Sequence, residues 1–312
     1  MIRIKIKTIK DRRLLNLSSL KSGAWIDLLN PSPNEIRRIS KETGVPRIVL
    51  ITPLDINERP RIEKGRNYVL VIIRAPIMEF NGKRFEITTI PIGIIITKKY
   101  IITVSRKEVD ILEDFHNGIV KGFYTTKKVR FLLQILERTI NYYSYYLEEI
   151  KNEITELENM LTKSFSNEEV IKALKLQKTL IYFNVAINGN AKVFEKIISG
   201  KFFRLKEQDL DILEDILIDN AELSENVKVF SEILSGTLDA YASIISNNLN
   251  MIMKFLTSLT IIMSIPTIIS SIYGMNIKLP IQWHPYAFYI LMIITFLISG
   301  IFAYVFWKKG WF

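Results

Sequence analysis

Phe255-Leu256-Thr257-Ser258-Leu259-Thr260-Ile261-Ile262-Met263-Ser264-Ile265-Pro266-Thr267-Ile268-Ile269-Ser270-Ser271-Ile272-Tyr273-Gly274-Met275-Asn276-Ile277 carries no formal charge between Lys254 and Lys278. About 20 such residues cross a bilayer as an α-helix. A second stretch, Pro285 to Trp307, is more apolar still and is followed by Lys308-Lys309. Trp283, Tyr286, Trp307 and Trp311 stand at the segment ends, where interfacial aromatics belong. The pattern predicts a multi-pass protein of the cell membrane with two spans. The loop between the spans holds one lysine, whereas their other flanks hold Lys254, Lys308 and Lys309 and all the basic sequence upstream. The positive-inside rule then places both termini in the cytoplasm.

Within the first span, Thr257, Thr260, Ser264, Thr267 and Ser271 recur at spacings of three, four, three and four residues. On a helix they share one face, which Met253 extends by one further turn. Hydroxyls in a membrane helix bond their own backbone carbonyls, help helices pack closely, or face water. Only the last use makes a pore. Two helices per chain cannot enclose one, so that reading requires an oligomer with the first span innermost.

Upstream the texture is different. The chain has 312 residues and a formal net charge of +10, and before Lys254 it is dense in charge. It lacks zinc-finger spacing, an RNA-binding aromatic signature and any long basic run, so nucleic acid is not the expected partner. It has no cysteine, which excludes disulfides, thiolate metal sites and cysteine nucleophiles. No phosphate-cradling glycine loop speaks for a nucleotide, and two distant histidines, His116 and His284, make no catalytic constellation. The expectation is a protein that is not an enzyme.

Met1 to Lys10 alternates apolar and basic residues, a strand pattern and not a signal peptide. A strand over Ala24–Leu29 and a helix from Asn34 to Thr43 with Gly44 as C-cap follow. Tyr68 to Ile73 is a β-branched run. Asn81-Gly82 marks one hairpin and Lys98-Lys99 another. From Thr126 long helices take over: Val129 to Leu161, then a break at Ser164 to Asn167 with Ser166 and Glu169 spaced as a capping box. A second helix runs from Asn167 to Ile198, closing at Gly200, and a third starts near Gln208 and meets no proline before Pro266. The fold class is an α+β domain followed by long stalk helices and two C-terminal transmembrane helices. The boundaries read 1–125 for a cytoplasmic mixed α/β domain and 126–207 for a cytoplasmic helical hairpin. Residues 208–254 are a stalk helix continuous with the first membrane helix, 255–276. An external loop covers 277–284, the second membrane helix 285–307 and a cytoplasmic tail 308–312.

The first span ends in Tyr273-Gly274-Met275-Asn276. With the charged domain, the stalk and a second apolar helix behind it, this tripeptide Gly-Met-Asn resembles the hallmark of the CorA family of magnesium transport proteins. The resemblance extends to Leu238-Asp239-Ala240-Tyr241-Ala242-Ser243 and Asn250 on the stalk, and to Trp25-Ile26-Asp27-Leu28 and Arg59-Pro60-Arg61 near the start. It implies a homopentameric channel with Mg2+ as the transported and the regulatory ion, and Co2+ or Ni2+ as further cargo. Asn276 would ring the outer mouth beside the carbonyls of Gly274, with Tyr273 and Met275 packed behind. Asn250, Met253, Leu256, Thr257, Thr260, Ser264, Thr267 and Ser271 would line the pore, Met253 and Leu256 as a hydrophobic constriction. A neutral amide ring suits Mg2+, which sheds its water reluctantly and must be held without being trapped. The pair Gly274 and Asn276 also suits a helix C-cap.

Gating by cytoplasmic Mg2+ is implied too, through acidic residues bridged between subunits. Asp211, Asp215 and Asp219 lie at i, i+4 and i+8 with Glu222 close by, a spacing at which like charges repel. Asp55 stands before Arg59-Pro60 where the family has an acidic pair, and Asp239 lies nearer the membrane. The loop after the tripeptide has Lys278 and no acid, unlike many relatives. Two alternatives compete. One is a zinc-type cation transporter, although zinc favours nitrogen and sulfur ligands and the expected pore offers mostly oxygen. The other is a membrane-anchored oligomeric sensor or scaffold without transport, which needs no hydroxyl stripe.

Overall fold

The computed structural model describes residues 1–11, 13–80, 85–160 and 167–312. It divides into two compact units, Met1–Gly236 and Thr237–Phe312.

The first unit is built on a seven-stranded sheet. Its strands are β1 (Ile2–Ile6), β2 (Leu15–Asn16), β3 (Trp25–Leu29), β4 (Arg61–Lys64), β5 (Tyr68–Phe80), β6 (Phe85–Thr97) and β7 (Ile101–Ser105). The order is β2-β1-β3-β7-β6-β5-β4, antiparallel throughout except where β3 meets β7. A buried side-chain chain seals that parallel join. The Trp25 indole donates to Thr103 Oγ1 at 2.8 Å, Thr103 donates to Asp27 Oδ1 at 2.7 Å, and His116 Nε2 meets Asp27 Oδ2 at 2.9 Å. Asp27 and Thr103 are register partners, so the pairing itself brings these groups together.

β5 and β6 are longer than the β-branched run suggests, 13 residues each. They are apolar on both faces because both faces are covered, so the alternation that marks a half-exposed strand is missing. On one side Leu70, Ile72, Ile95, Ile102 and Val104 join Ile36, Ile39, Val49 and Leu50 of α1 (Pro33–Thr43) and α2 (Arg47–Ile51) in one core. On the other lie α4 (Lys128–Met160) and α5 (Asn167–Ile198), with α3 (Asp110–His116) before them. The α1 helix starts as its sequence dictates. The Ser32 side chain accepts the Glu35 N–H, the Glu35 carboxylate accepts the Ser32 N–H at 2.7 Å, and Gly44 closes the helix at φ 74°.

The expected pairing of the two hairpins is present, with Phe80 opposite Phe85 and Ile96 opposite Ile101. The Asn81-Gly82 turn and the cap expected at Ser166 lie outside the described residues. β1 stops at Ile6, four residues short of the end of the alternating run at Lys10, where Thr8 folds back to bond Asp11. The sequence reading missed β2, β4, α2 and α3, all short elements fixed by their neighbours. Gly93 shows how close one such neighbour comes: a Cβ there would lie 2.2 Å from Cγ of Pro53, in the 3₁₀ turn Thr52–Leu54.

The long helix α6 runs from Glu207 to Tyr273. Within the first unit its opening turns are tied to α4 and α5. Arg130 bonds Asp209 at 2.9 Å and the Gln208 carbonyl at 3.0 Å, and Ser224 reaches Asn188 at 3.2 Å. The second unit contains the rest of α6, a non-helical connection, and α7 (Ala287–Lys308). Both helices have the length and hydropathy of membrane spans.

Candidate functional site

In the second unit α6 has two unlike faces. Ser258 is fully buried, and Ile262, Ile265, Ile269 and Tyr273 are partly covered. These residues follow a helical spacing of four, three, four and four. On α7 the shielded positions include Leu291, Thr295, Ile298, Ser299, Ala303 and Phe306. Small residues one turn apart at 295, 299 and 303 permit close helix packing of the kind membrane proteins use. The large apolar side chains of α7, such as Phe288, Ile293, Phe296 and Trp307, are left exposed.

Thr257, Thr260, Thr267 and Ser271 fall on the uncovered side of α6, and Ser264 is half-buried. Three of these hydroxyls bond back onto their own helix. Thr260 donates to the Leu256 carbonyl at 2.8 Å, Ser264 to the Thr260 carbonyl at 2.8 Å and Thr267 to the Met263 carbonyl at 3.2 Å. Backbone bonding and an outward polar face are therefore compatible uses, not rival ones. A hydroxyl that has donated its proton presents only lone pairs to its other side. Thr260, Ser264 and Thr267 thus offer acceptors along the stripe. Water molecules around a cation turn their hydrogens outward, so an acceptor row is the lining that suits a hydrated cation. Asn250, Met253 and Leu256 continue the helix below the stripe and are exposed.

The helix ends at Tyr273, three residues before the expected boundary, so Gly274, Met275 and Asn276 lie beyond its last turn. The Gly274 N–H still bonds the Ser270 carbonyl at 2.9 Å, and Met275 the Ile272 carbonyl at 3.2 Å. Neither Gly274 nor Asn276 has positive φ, so the left-handed C-cap that this pair could have formed is absent. All three residues are exposed. The Tyr273 hydroxyl donates to the Pro280 carbonyl at 3.1 Å and fastens the helix end to the connection that follows. Sequence reading placed Tyr273 behind the tripeptide but gave it no such partner, because a bond to a loop carbonyl leaves no trace in residue type.

The acidic residues sit elsewhere. Asp211, Asp215, Asp219 and Glu222 are exposed along α6, and Asp239 is exposed in the second unit. Asp219 and Glu222 line a groove of about 410 Å³ together with Glu148, Ser144 and Asn226. Glu148, missed from sequence because it comes from α4, is paired with Lys151 at 2.8 Å. Among the described residues no group of three or more His, Asp or Glu side chains could hold a metal within one chain. The Asp55 carboxylate accepts the Asn57 N–H at 3.0 Å in a short turn. The turn is held from behind by Arg74, whose guanidinium donates to the carbonyls of Ile56 and Glu58 and to both oxygens of Thr89. Burial pulls the Arg74 pKa down, and no carboxylate offsets it. Asn190 secures the Arg74 backbone on both sides, at 2.9 and 2.8 Å.

Comparison with known proteins adds a family to this geometry. The family described as CorA-like Mg2+ transporter protein matches residues 21–309. The cobalt/magnesium transport protein CorA of Methanocaldococcus jannaschii is 30% identical over 298 residues, 92% of this chain and 90% of that protein. The protein of the same description from Thermotoga maritima is 24% identical, over 98% of this chain and 88% of its own length. The solved complete structure of the M. jannaschii CorA magnesium transporter superposes with a TM-score of 0.87 at 28% identity. That match covers 100% of this chain and 99% of the other.

Proposed function

Because the chain belongs to the family of CorA-like Mg2+ transporter proteins, which are membrane ion transporters and not enzymes, we propose that it passes Mg2+ through a homopentameric pore. Co2+ and Ni2+ are further cargo on this reading. The observation that supports it best is the outward row of hydroxyl acceptors on α6, set on the side away from the face the rest of its unit covers. Five copies of that face around an axis would form a lumen lined with oxygen, and the second helices would stand between it and the lipid.

The cation enters at the mouth, where Asn276 presents a neutral amide oxygen and Gly274 its carbonyl. These oxygens accept hydrogen bonds from the hydration shell, so the ion is recognised without being stripped. Tyr273 keeps the mouth in shape through Pro280, and Met275 packs behind the ring. The ion then passes Ser271, Thr267, Ser264, Thr260 and Thr257, each an acceptor. At Leu256 and Met253 side chains replace oxygen with apolar surface, and a narrow ring of that kind closes a pore by expelling water. Asn250 marks the exit. Both termini lie in the cytoplasm. An inside-negative potential drives a divalent ion inward by about 4.6 kcal/mol per 100 mV, twice the single-charge value.

Closure is assigned to cytoplasmic Mg2+. Asp211, Asp215 and Asp219 are exposed, and among the described residues they gather no metal site within one chain, so a cation bound there would draw ligands from two subunits. Asp55 and Asp239 are the other acidic positions of this kind. The bound ion would relieve repulsion along the helix and hold neighbouring stalks together. The purified protein in liposomes, given an inside-negative potential, should take up Mg2+, Co2+ and Ni2+ faster than Zn2+. Zinc uptake faster than Mg2+ uptake would replace this reading with the zinc-type one, and no uptake of any divalent ion would leave the anchored sensor.

A further inference from the structure

We propose that residues 306–312 form an aromatic clasp on α6, and that Phe255 and Phe312 are positioning residues for the constriction at Met253 and Leu256. The inference rests on the reading of those two side chains as the constriction.

The segment after α7 is folded, not frayed. Gly310 takes φ 67°, its N–H bonds the Trp307 carbonyl at 3.0 Å, and the Trp311 N–H bonds the Phe306 carbonyl at 3.0 Å. This paired bonding around a left-handed glycine is the Schellman motif, which turns the chain back on its own helix. The apolar contact that accompanies such a turn is also present. The Trp311 ring stacks on Phe306 at 5.0 Å between centroids and 12° between planes, and Phe306 is 8% exposed. A Cβ at Gly310 would meet nothing within 4 Å, so glycine is there for its backbone conformation alone. Lys308 and Lys309 place positive charge at the helix end where the dipole favours it.

The turn delivers the next residue to α6. The Phe312 ring meets Phe255 edge-on, at 5.9 Å and 85°. Phe255 lies between Met253 and Leu256 in sequence but not in direction. At about 100° per residue, Met253, Thr257, Thr260, Ser264, Thr267 and Ser271 all lie about 120–180° round the helix from Phe255, and Leu256 about 100°. Ser258, the buried hydroxyl, lies on the Phe255 side. The clasp thus holds α6 by its back. Both rings remain about half exposed, at 46% and 50%, so the contact opposes turning of the helix at this level without enclosing it, and favours one aim of the constriction side chains.

The test uses the full chain with Phe255→Ala, Phe312→Ala and the double substitution. Phe255→Leu and Phe312→Leu keep apolar volume without the ring edge, should an alanine variant fail to fold. Thermal unfolding of the purified protein should show coupling, the double variant falling by clearly less than the sum of the singles. Mg2+ flux into liposomes at inhibitory Mg2+ on the cytoplasmic side should rise in each single variant by about two- to tenfold, the range of one aromatic pair. Phe312→Tyr, which keeps the ring, should restore the low value. Additive thermal shifts would overturn the contact. Coupled shifts with residual flux unchanged would overturn the positioning role and leave only a packing one. If the wild type carries no divalent ion, the transport reading fails and the positioning role with it, while the thermal cycle still decides the contact.

Discussion

At the scale of single residues, the parts of this protein that sequence shows are those whose chemistry is local. Ser32, Glu35 and Gly44 announce a helix because each bonds within a few positions of itself. Arg74, Asn190 and Tyr143 announce nothing. Asn190 and Tyr143 both bond the Arg74 carbonyl from helices 116 and 69 positions away, and only the folded chain makes them a unit. The same is true of Tyr142, whose hydroxyl donates to Asp114 at 3.0 Å. Burial, then that bond and the nearby carboxylates, push its pKa from the ordinary 10.0 to about 12. The folded state disfavours the phenolate, so the unfolded chain loses its proton first as pH rises. Stability from this residue is complete below pH 10 and is lost between pH 10 and about 12. Ultraviolet titration should find the wild type still holding a tyrosine proton that Tyr142→Phe lacks, and Tyr142→Phe should unfold with a weaker alkaline dependence. Identical alkaline profiles would contradict this.

At the scale of elements, long periodic segments were legible and short ones were not. The two helices α4 and α5, the start of α6 and both membrane segments follow from apolar spacing and from the absence of charge. β2, β4 and α3 are too short to carry a period, and they exist because a neighbouring strand or helix face completes them. The hydroxyl stripe was legible as a pattern, but the two uses of a membrane hydroxyl could not be separated by spacing. With three of the hydroxyls bonded to their own helix, their remaining lone pairs are the feature the proposed pore would use. Ser264→Ala removes one acceptor per chain from the proposed lumen while leaving the helix intact. Mg2+ flux should fall by about two- to tenfold, the value of one hydrogen bond of 0.5–1.5 kcal/mol, with assembly unchanged. Flux equal to wild type would mean that the stripe serves packing alone. The Gly-Met-Asn tripeptide was legible as a motif, whereas the early end of α6 at Tyr273 and the bond to Pro280 were not, since both depend on how the connection folds back.

At the scale of the whole molecule, the account requires more than one chain. A single copy leaves Thr257, Thr260, Thr267 and Ser271 exposed, and among the described residues Asp211, Asp215 and Asp219 gather no further metal ligands. Mass measurement of the protein released intact from detergent should give five copies, and a stable monomer or dimer would remove the pore. The alternative of a transport-free sensor predicts that a neutral amide at the mouth is dispensable. The central claim is that Asn276 supplies the oxygen that admits a hydrated Mg2+. It is tested most directly by Mg2+ uptake into liposomes holding either the wild type or Asn276→Ala, under an inside-negative potential. The account predicts uptake by the wild type, and loss of flux or of selectivity in a variant that still assembles. Equal and equally selective uptake by both would contradict it.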